Sequence, residues 1–156
     1  MKFTTLKTDQ TTEKFELDKW PFYWIAKANG HYLKSIEKAL KGIGLDNPRW
    51  RVLMLLKGEQ ARSVTYLATE SVTKLSTMTR IVIRMKEEGL IKVRQRDNDA
   101  RVTEAYLTEK GKTARVMAWK HANAVIEVAF KGIDKKSTLA LMRTLSKITS
   151  NLDQSK

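Results

Sequence analysis

One change of period constrains the chain more than any other feature. Before Gly89, and again beyond Thr108, apolar residues recur at helical spacing. Residues 90–96 and 101–107 instead favour β structure, and Asp97, Asn98, Asp99 and Ala100 between them favour a turn. A single hairpin set among helices makes the fold mainly α with a small β-hairpin wing. Only two prolines and seven glycines interrupt the 156 residues, so helices can fill the rest.

Start and stop signals divide those helices. Asp18 and Pro21 supply a cap and first turn for a helix that runs to about Lys41, where Gly42 and Gly44 end it. Phe22, Ile25, Ala26, Asn29, Leu33, Ile36 and Leu40 form one stripe of this helix, and Trp20, Trp24, Lys27 and His31 form a second on the opposite side. A helix apolar on two faces needs two partners. The second is another copy of the chain or a bound aromatic molecule.

Asp46 or Asn47 caps the next helix, Pro48 takes its first position, and the apolar run of residues 50–56 predicts a buried helix ended by Gly58. Ser63 caps a short third helix carrying Val64, Tyr66, Leu67 and Ala68. A break at residues 71–74 leads into a fourth helix at about residues 75–88, which gives the helix-turn-helix plan. After the hairpin, a helix runs from Thr108 to about Lys131. Gly132 breaks it, and Asp134 caps a last helix with the stripe Leu141, Leu145, Ile148 and Leu152. Residues 1–45 are then an N-terminal segment and a long helix, 46–107 a helix-turn-helix with a hairpin wing, and 108–156 two C-terminal helices.

Charge narrows the partners. Thirty Lys and Arg against seventeen Asp and Glu leave +13, a field that attracts polyanions. Ribosomal and membrane-surface proteins are also this basic, so the position of the charge has to decide. In the fourth helix Leu75, Met78, Val82 and Met85 form a core-facing stripe, and Ser76, Thr77, Arg80, Arg84 and Glu87 gather opposite it. Small hydroxyl residues permit close approach to base edges and phosphates, and Arg80 can reach two acceptors of a guanine. On an isolated helix such a face is more often merely solvated. Here the hairpin follows at once and adds Lys92, Arg94, Arg96 and Arg101 near its turn, where an arginine can enter a narrow minor groove.

Other chemistries find little support. The absence of cysteine removes disulfides, thiolate metal sites and Cys nucleophiles. His31 and His121 have no second histidine at ligand spacing, and no carboxylate cluster has metal spacing, so no metal, cofactor or catalysis is expected. Residues 1–14 lack the apolar core of a secretory signal, and nowhere do about 18 apolar residues run together, so a cytoplasmic, soluble protein is expected.

Residues of roughly 50–111 resemble the MarR family of winged-helix regulators. Ser76-Thr77-Met78-Thr79-Arg80 resembles the start of its recognition helix, and Glu88-Gly89-Leu90-Ile91 the step into its wing. Asp97, Asp99 and Arg101 resemble its wing tip, and Leu107-Thr108-Glu109-Lys110-Gly111 the exit into its fifth helix. Ala100 departs from the pattern, where the family often has an arginine.

The resemblance implies a homodimer of triangular outline, built from the first, fifth and sixth helices, whose two modules read a pseudo-palindrome in double-stranded DNA. Ser76, Thr77 and Arg80 would touch bases or nearby phosphates, and Arg101 would enter the minor groove held by Asp99. It also implies a small aromatic effector bound between the dimerisation region and the winged module. The stretch Asn47-Pro48-Arg49-Trp50-Arg51-Val52-Leu53 resembles members that control breakdown of hydroxycinnamates or indole acetate. For an aromatic carboxylate, Trp20, Trp24 and Trp50 are candidates to sandwich the ring, and Arg49 or Arg51, Lys27 or His31 to pair its charge. Tryptophans on helices also serve as core or interface. The expected function is a repressor released from its operator by such an acid. The alternative is a basic structural nucleic-acid-binding protein without an effector.

Overall fold

The computed structural model describes residues 16–153. A 3-10 turn, Leu17–Lys19, leads into α1 (Pro21–Lys41) and α2 (Asn47–Leu55); then come β1 (Arg62–Ser63), α3 (Val64–Glu70), α4 (Leu75–Glu87), β2 (Ile91–Arg96), β3 (Asp99–Leu107), α5 (Glu109–Ala129) and α6 (Lys135–Asp153). The three strands form one antiparallel sheet in the order β1-β3-β2. The mainly helical fold with a small hairpin wing is as expected.

Polar side chains start the helices where the sequence placed them. Asp46 Oδ1 accepts from the Arg49 backbone N–H at 3.0 Å, the Ser63 hydroxyl from Tyr66 N–H at 3.0 Å, Thr108 from Gly111 N–H at 3.0 Å and Asp134 from Ser137 N–H at 2.7 Å. Each satisfies an amide that the helix itself leaves open. Asp18 is the exception. It lies within the 3-10 turn, Trp20 precedes α1, and the Asp18 carbonyl accepts the Trp24 indole N–H at 2.7 Å. α2 likewise ends before Gly58, because its last residue is Leu55.

The hairpin is tighter than expected. Arg96 pairs with Asp99 after a bulge at Gln95 and Arg96, so only Asp97 and Asn98 turn the chain. β1 was not anticipated: two residues, Arg62 and Ser63, pair with Ala105 and Glu104 and close the sheet's other edge. The break between α3 and α4 has its own geometry. Val72 adopts φ 50°, with its N–H on Thr69 O at 3.0 Å and the Thr73 N–H on Ala68 O at 2.9 Å. This is a Schellman ending with a β-branched residue in the place glycine usually takes, and it sets the angle at which α4 leaves.

The core lies within the winged module and against its two flanking helices. Val52, Leu53 and Leu56 of the α2 region, Leu67, Met78, Met85, Ile91 and Ala105 are fully or almost fully buried, joined by Ile36 and Leu40 of α1 and by Ala118 and Ala122 of α5. Leu75 departs from its expected stripe and is 51% exposed, because it opens the first turn of α4 ahead of the packed segment. Gly111 marks the join of wing and α5. A Cβ there would stand 1.9 Å from the Leu90 carbonyl oxygen, so only glycine admits this crossing.

α6 buries no residue, and Phe22, Trp24, Trp119, Val128, Leu141, Leu145 and Leu152 are all well exposed. Among the described residues, no helix is long and apolar enough to cross a membrane.

Candidate nucleic-acid interface

Burying Met78, Val82 and Met85 turns the opposite side of α4 outward. Ser76, Thr77, Arg80 and Arg84 are exposed there. Lys74, which precedes α4, gives no side-chain cap, so the first-turn amides remain open to an anion. Thr79 bonds back to the Leu75 carbonyl at 2.9 Å. Arg80 makes no hydrogen bond or ion pair with any described residue, leaving its full donor fork free.

Arg84 is held differently. Its Nε donates to Glu88 at 3.0 Å and its Nη1 to Asp46 at 3.3 Å. Arg49, nine-tenths buried, bonds the same two carboxylates: Nε to Asp46 at 3.1 Å and Nη1 to Glu88 at 2.7 Å, with Nη2 on the Gly44 carbonyl at 2.8 Å. The four side chains close a ring of alternating charge that ties the start of α2 to the end of α4. Burial by itself raises the Asp46 carboxyl, but hydrogen bonds from the Arg49 amide and guanidinium, with the charge of Arg84, outweigh it and hold the group below its ordinary value.

The wing divides its arginines between two faces. Arg101 is 92% exposed, and its Nε and backbone N–H both donate to Asp99 Oδ1 at 3.1 Å. Those bonds, the side-chain one foremost, depress the Asp99 carboxyl. Together with Thr79, Ile83, Lys86 and Val93, Arg101 lines a groove of about 340 Å³ between α4 and the wing. Arg94 and Arg96 point to the other side, where Glu104 receives Arg96 at 2.8 Å and Arg94 at 3.3 Å. Arg94 also lies over the Tyr106 ring, 5.9 Å from its centre. Glu104 is 92% buried by these neighbours and was not foreseen; it became legible only when the two-residue turn set it opposite Arg94.

The residues considered for an effector fall into separate groups within one chain. Trp24 packs edge-on to Tyr23, with Lys27 5.3 Å from both ring centres, at the first turns of α1, and His31 is exposed. Trp50 is buried and leans against Trp119 of α5 at 6.3 Å. Arg51 donates to the Ser71 carbonyl at 2.9 Å, and Arg49 is taken by the ion ring. Among the described residues no ring contact, hydrogen bond or ion pair joins Trp24, Lys27 or His31 to Arg49, Trp50 or Arg51. A cavity of about 470 Å³ does open beside Arg49, between the end of α1, the end of α4 and the start of α5.

A model described as the MarR family matches residues 45–103. The HTH-type transcriptional repressor IacR of Pseudomonas putida is 36% identical over 145 residues, which cover 93% of this chain and 87% of that protein. Two solved structures share the fold. CouR from Rhodococcus jostii RHA1, bound to p-coumaroyl-CoA, aligns with TM-score 0.78 at 22% identity over 85% of this chain and 94% of its own. Bordetella bronchiseptica BpsR, whose DNA binding is regulated by 6-hydroxynicotinic acid, aligns with TM-score 0.77 at 17% identity over 86% of this chain and 96% of its own.

Proposed function

Because the chain belongs to the MarR family of transcriptional regulators, we propose that it is a homodimeric repressor that leaves a pseudo-palindromic operator when a small aromatic carboxylate binds. One observation carries the DNA half of this reading. Arg80, with Ser76 and Thr77 beside it, stands unpaired on the exposed face of α4, and the braced, outward Arg101 stands across the groove from that helix. The reading assigns α4 to the major groove, Arg80 to a base edge, Arg84 to a phosphate and Arg101 to the minor groove. Arg84 and Arg96 contribute less than Arg80 and Arg101, because Asp46 and Glu88 already hold the one and Glu104 the other.

The winged module of residues 46–107 reads DNA, and the flanking helices join two copies. Support for the dimer is the apolar surface of α6, of the first half of α1 and of the second half of α5, larger than a lone soluble chain tolerates. Half-sites should then lie about 34 Å apart, one helical turn.

Support for the effector class is the regulation of BpsR by 6-hydroxynicotinic acid; CouR, bound to the thioester p-coumaroyl-CoA, supports the aromatic part but not the free carboxylate. Trp20, Trp24, Lys27 and His31 then form the aromatic end of α1, while Arg49, Trp50 and Arg51 belong to the module side. Gel shifts comparing one palindromic duplex with random duplex at fixed salt, with and without phenyl or indole carboxylates, test the whole reading. Equal affinity for both duplexes would favour a structural nucleic-acid protein.

A further inference from the structure

The turn between α3 and α4 decides how α4 leaves the module, and little of it is held by packing. Val72 is 92% exposed, and Lys74 gives α4 no side-chain cap. Among the described residues, one side chain reaches the backbone of this turn from another element. It is Arg51 of α2, partly buried, whose Nη1 donates to the Ser71 carbonyl at 2.9 Å. Thr73 Oγ1 gives the same oxygen a second, local bond at 3.1 Å.

That carbonyl belongs to the same peptide unit as the Val72 N–H, which bonds Thr69 O at 3.0 Å. The unit is therefore gripped on both sides. Its rotation would change the Val72 φ, and at 50° a β-branched residue is strained toward such a change. Resting on the DNA-reading assignment above, we propose that Arg51 is a positioning residue for recognition. It holds the peptide between Ser71 and Val72 against that strain, and so fixes the angle at which α4 meets the duplex.

α2 grips α4 at its other end as well, where Arg49 Nη1 meets Glu88 at 2.7 Å. Between the two grips α4 rises about 18 Å, so a swing of about 3° about the Glu88 end carries its first turn about 1 Å. A shift of that size takes a base-edge hydrogen bond outside its range of about 0.5 Å. Arg80, assigned to a base edge, and Ser76 and Thr77 beside it lie in the half of α4 nearest the turn. The buried Leu67 and Met78 keep α3 and α4 together, but apolar contact is non-directional and leaves the angle to the hydrogen bond. Phosphate contacts, made by flexible side chains to a uniform backbone, tolerate the same swing. Loss of Arg51 therefore costs discrimination between sequences more than it costs affinity for DNA as such.

The probes are a palindromic duplex that the parent selects from a randomised pool and a random duplex of equal length. Both are titrated at one salt concentration, well below each variant's melting temperature. Arg51→Met keeps the length of the side chain and removes the donor. Its preference for the selected duplex should fall about tenfold, the loss of one base-edge contact, while the effect of the lost charge is common to both duplexes. Arg51→Lys keeps the charge and can donate to the same oxygen, so its preference should stay within about threefold of the parent's. In the methionine variant, hydrogen exchange should quicken about tenfold at the Val72 and Thr73 amides and not around Met78 and Val82. Arg51→Gln stands in, with the same expectations, if methionine does not fold. An equal loss on both duplexes would make Arg51 a phosphate contact, and faster exchange throughout the module would make it an ordinary stabilising residue; either overturns the proposal. A lysine variant as indiscriminate as the methionine one overturns it too. If the parent selects no palindrome, the DNA-reading assignment falls as well, whereas a parent and variants that discriminate alike sink only the role of Arg51.

Discussion

The winged module and the helices that flank it bury their apolar residues to very different degrees. In the module, Val52, Leu53, Leu56, Leu67 and Met85 have no exposed surface at all, whereas α6 has no buried residue and Val116, Trp119 and Val128 of α5 lie open. Both regions carry similarly regular apolar stripes in sequence. What differs is whether this chain covers them: the module folds onto itself, and the apolar side chains of the flanks stay open, as the homodimer proposed above requires. An apolar stripe therefore states that burial is required, not that the same chain supplies it.

The most severe way to break this comparison is to charge α6. Leu141→Asp with Leu145→Asp should give a monomer in light scattering at micromolar concentration, with the module's own melting little changed. Operator affinity should then fall by about 10²- to 10⁴-fold, the avidity of two linked modules. A double variant that remains dimeric would mean that α6 is simply a solvated helix. Leu53→Ala sharpens the other side. Fully buried and touching α5 through its carbonyl, which accepts Arg115 Nε at 3.0 Å, it should cost about 2–5 kcal/mol in urea unfolding. A loss below 1 kcal/mol, on the order of one surface substitution, would show that the module is not the closed unit described.

The same distinction explains what could be read before the fold was known. Caps at Ser63 and Asp134 were legible because an N-cap acts on amides two or three residues away. The stripe Met78, Val82 and Met85 was legible because one helix defines it. Glu104 was not, since its pairing with Arg94 and Arg96 depends on a strand register set by a bulge. Nor was the fate of Arg49: nothing in Asn47-Pro48-Arg49 announces Glu88, which arrives from 39 residues along the chain. The short β1 was missed because two residues carry no periodicity. Local physics was readable, and pairings between distant elements were not.

A smaller effect separates the arginines of the module. Arg80→Ala should weaken specific binding by about 1–3 kcal/mol and relax base preference at one position of each half-site. A uniform loss over all sequences would make Arg80 a phosphate contact instead. Arg101→Ala should act most on A·T-rich flanks, where the minor groove is narrow. Arg96→Ala, whose side chain already has a carboxylate partner, should change the salt dependence less than Arg101→Ala does, and the reverse order would count against the division of the wing into two faces.

The mildest test uses acid, and it returns to the contrast between module and flank. Asp46 and Asp134 both have carboxyls held below their ordinary value, and at each the largest depressing cause is a backbone amide of the helix it caps. At Asp134 that amide is Ser137's, a local cap on a helix that buries nothing. At Asp46 it is Arg49's, and the guanidiniums of Arg49 and of Arg84, the latter from far along the chain, add to it against the cost of burial. A carboxyl depressed by folding binds its proton more readily in the unfolded chain, so the stability it contributes is complete above the unfolded value and is lost as pH falls through the folded one. For both residues the loss begins below about pH 4. Asn caps a helix about as well as Asp. Asp46→Asn therefore keeps the cap and removes only the charge, so the variant should be less stable than the parent at neutral pH and converge on it as the pH drops below about 4. Asp134→Asn should show a smaller gap in the module's unfolding, because its cap supports a helix outside the closed core. A gap at Asp46 that persisted unchanged into acid would mean that the ring holds α2 and α4 together through geometry alone, with no contribution from its charges.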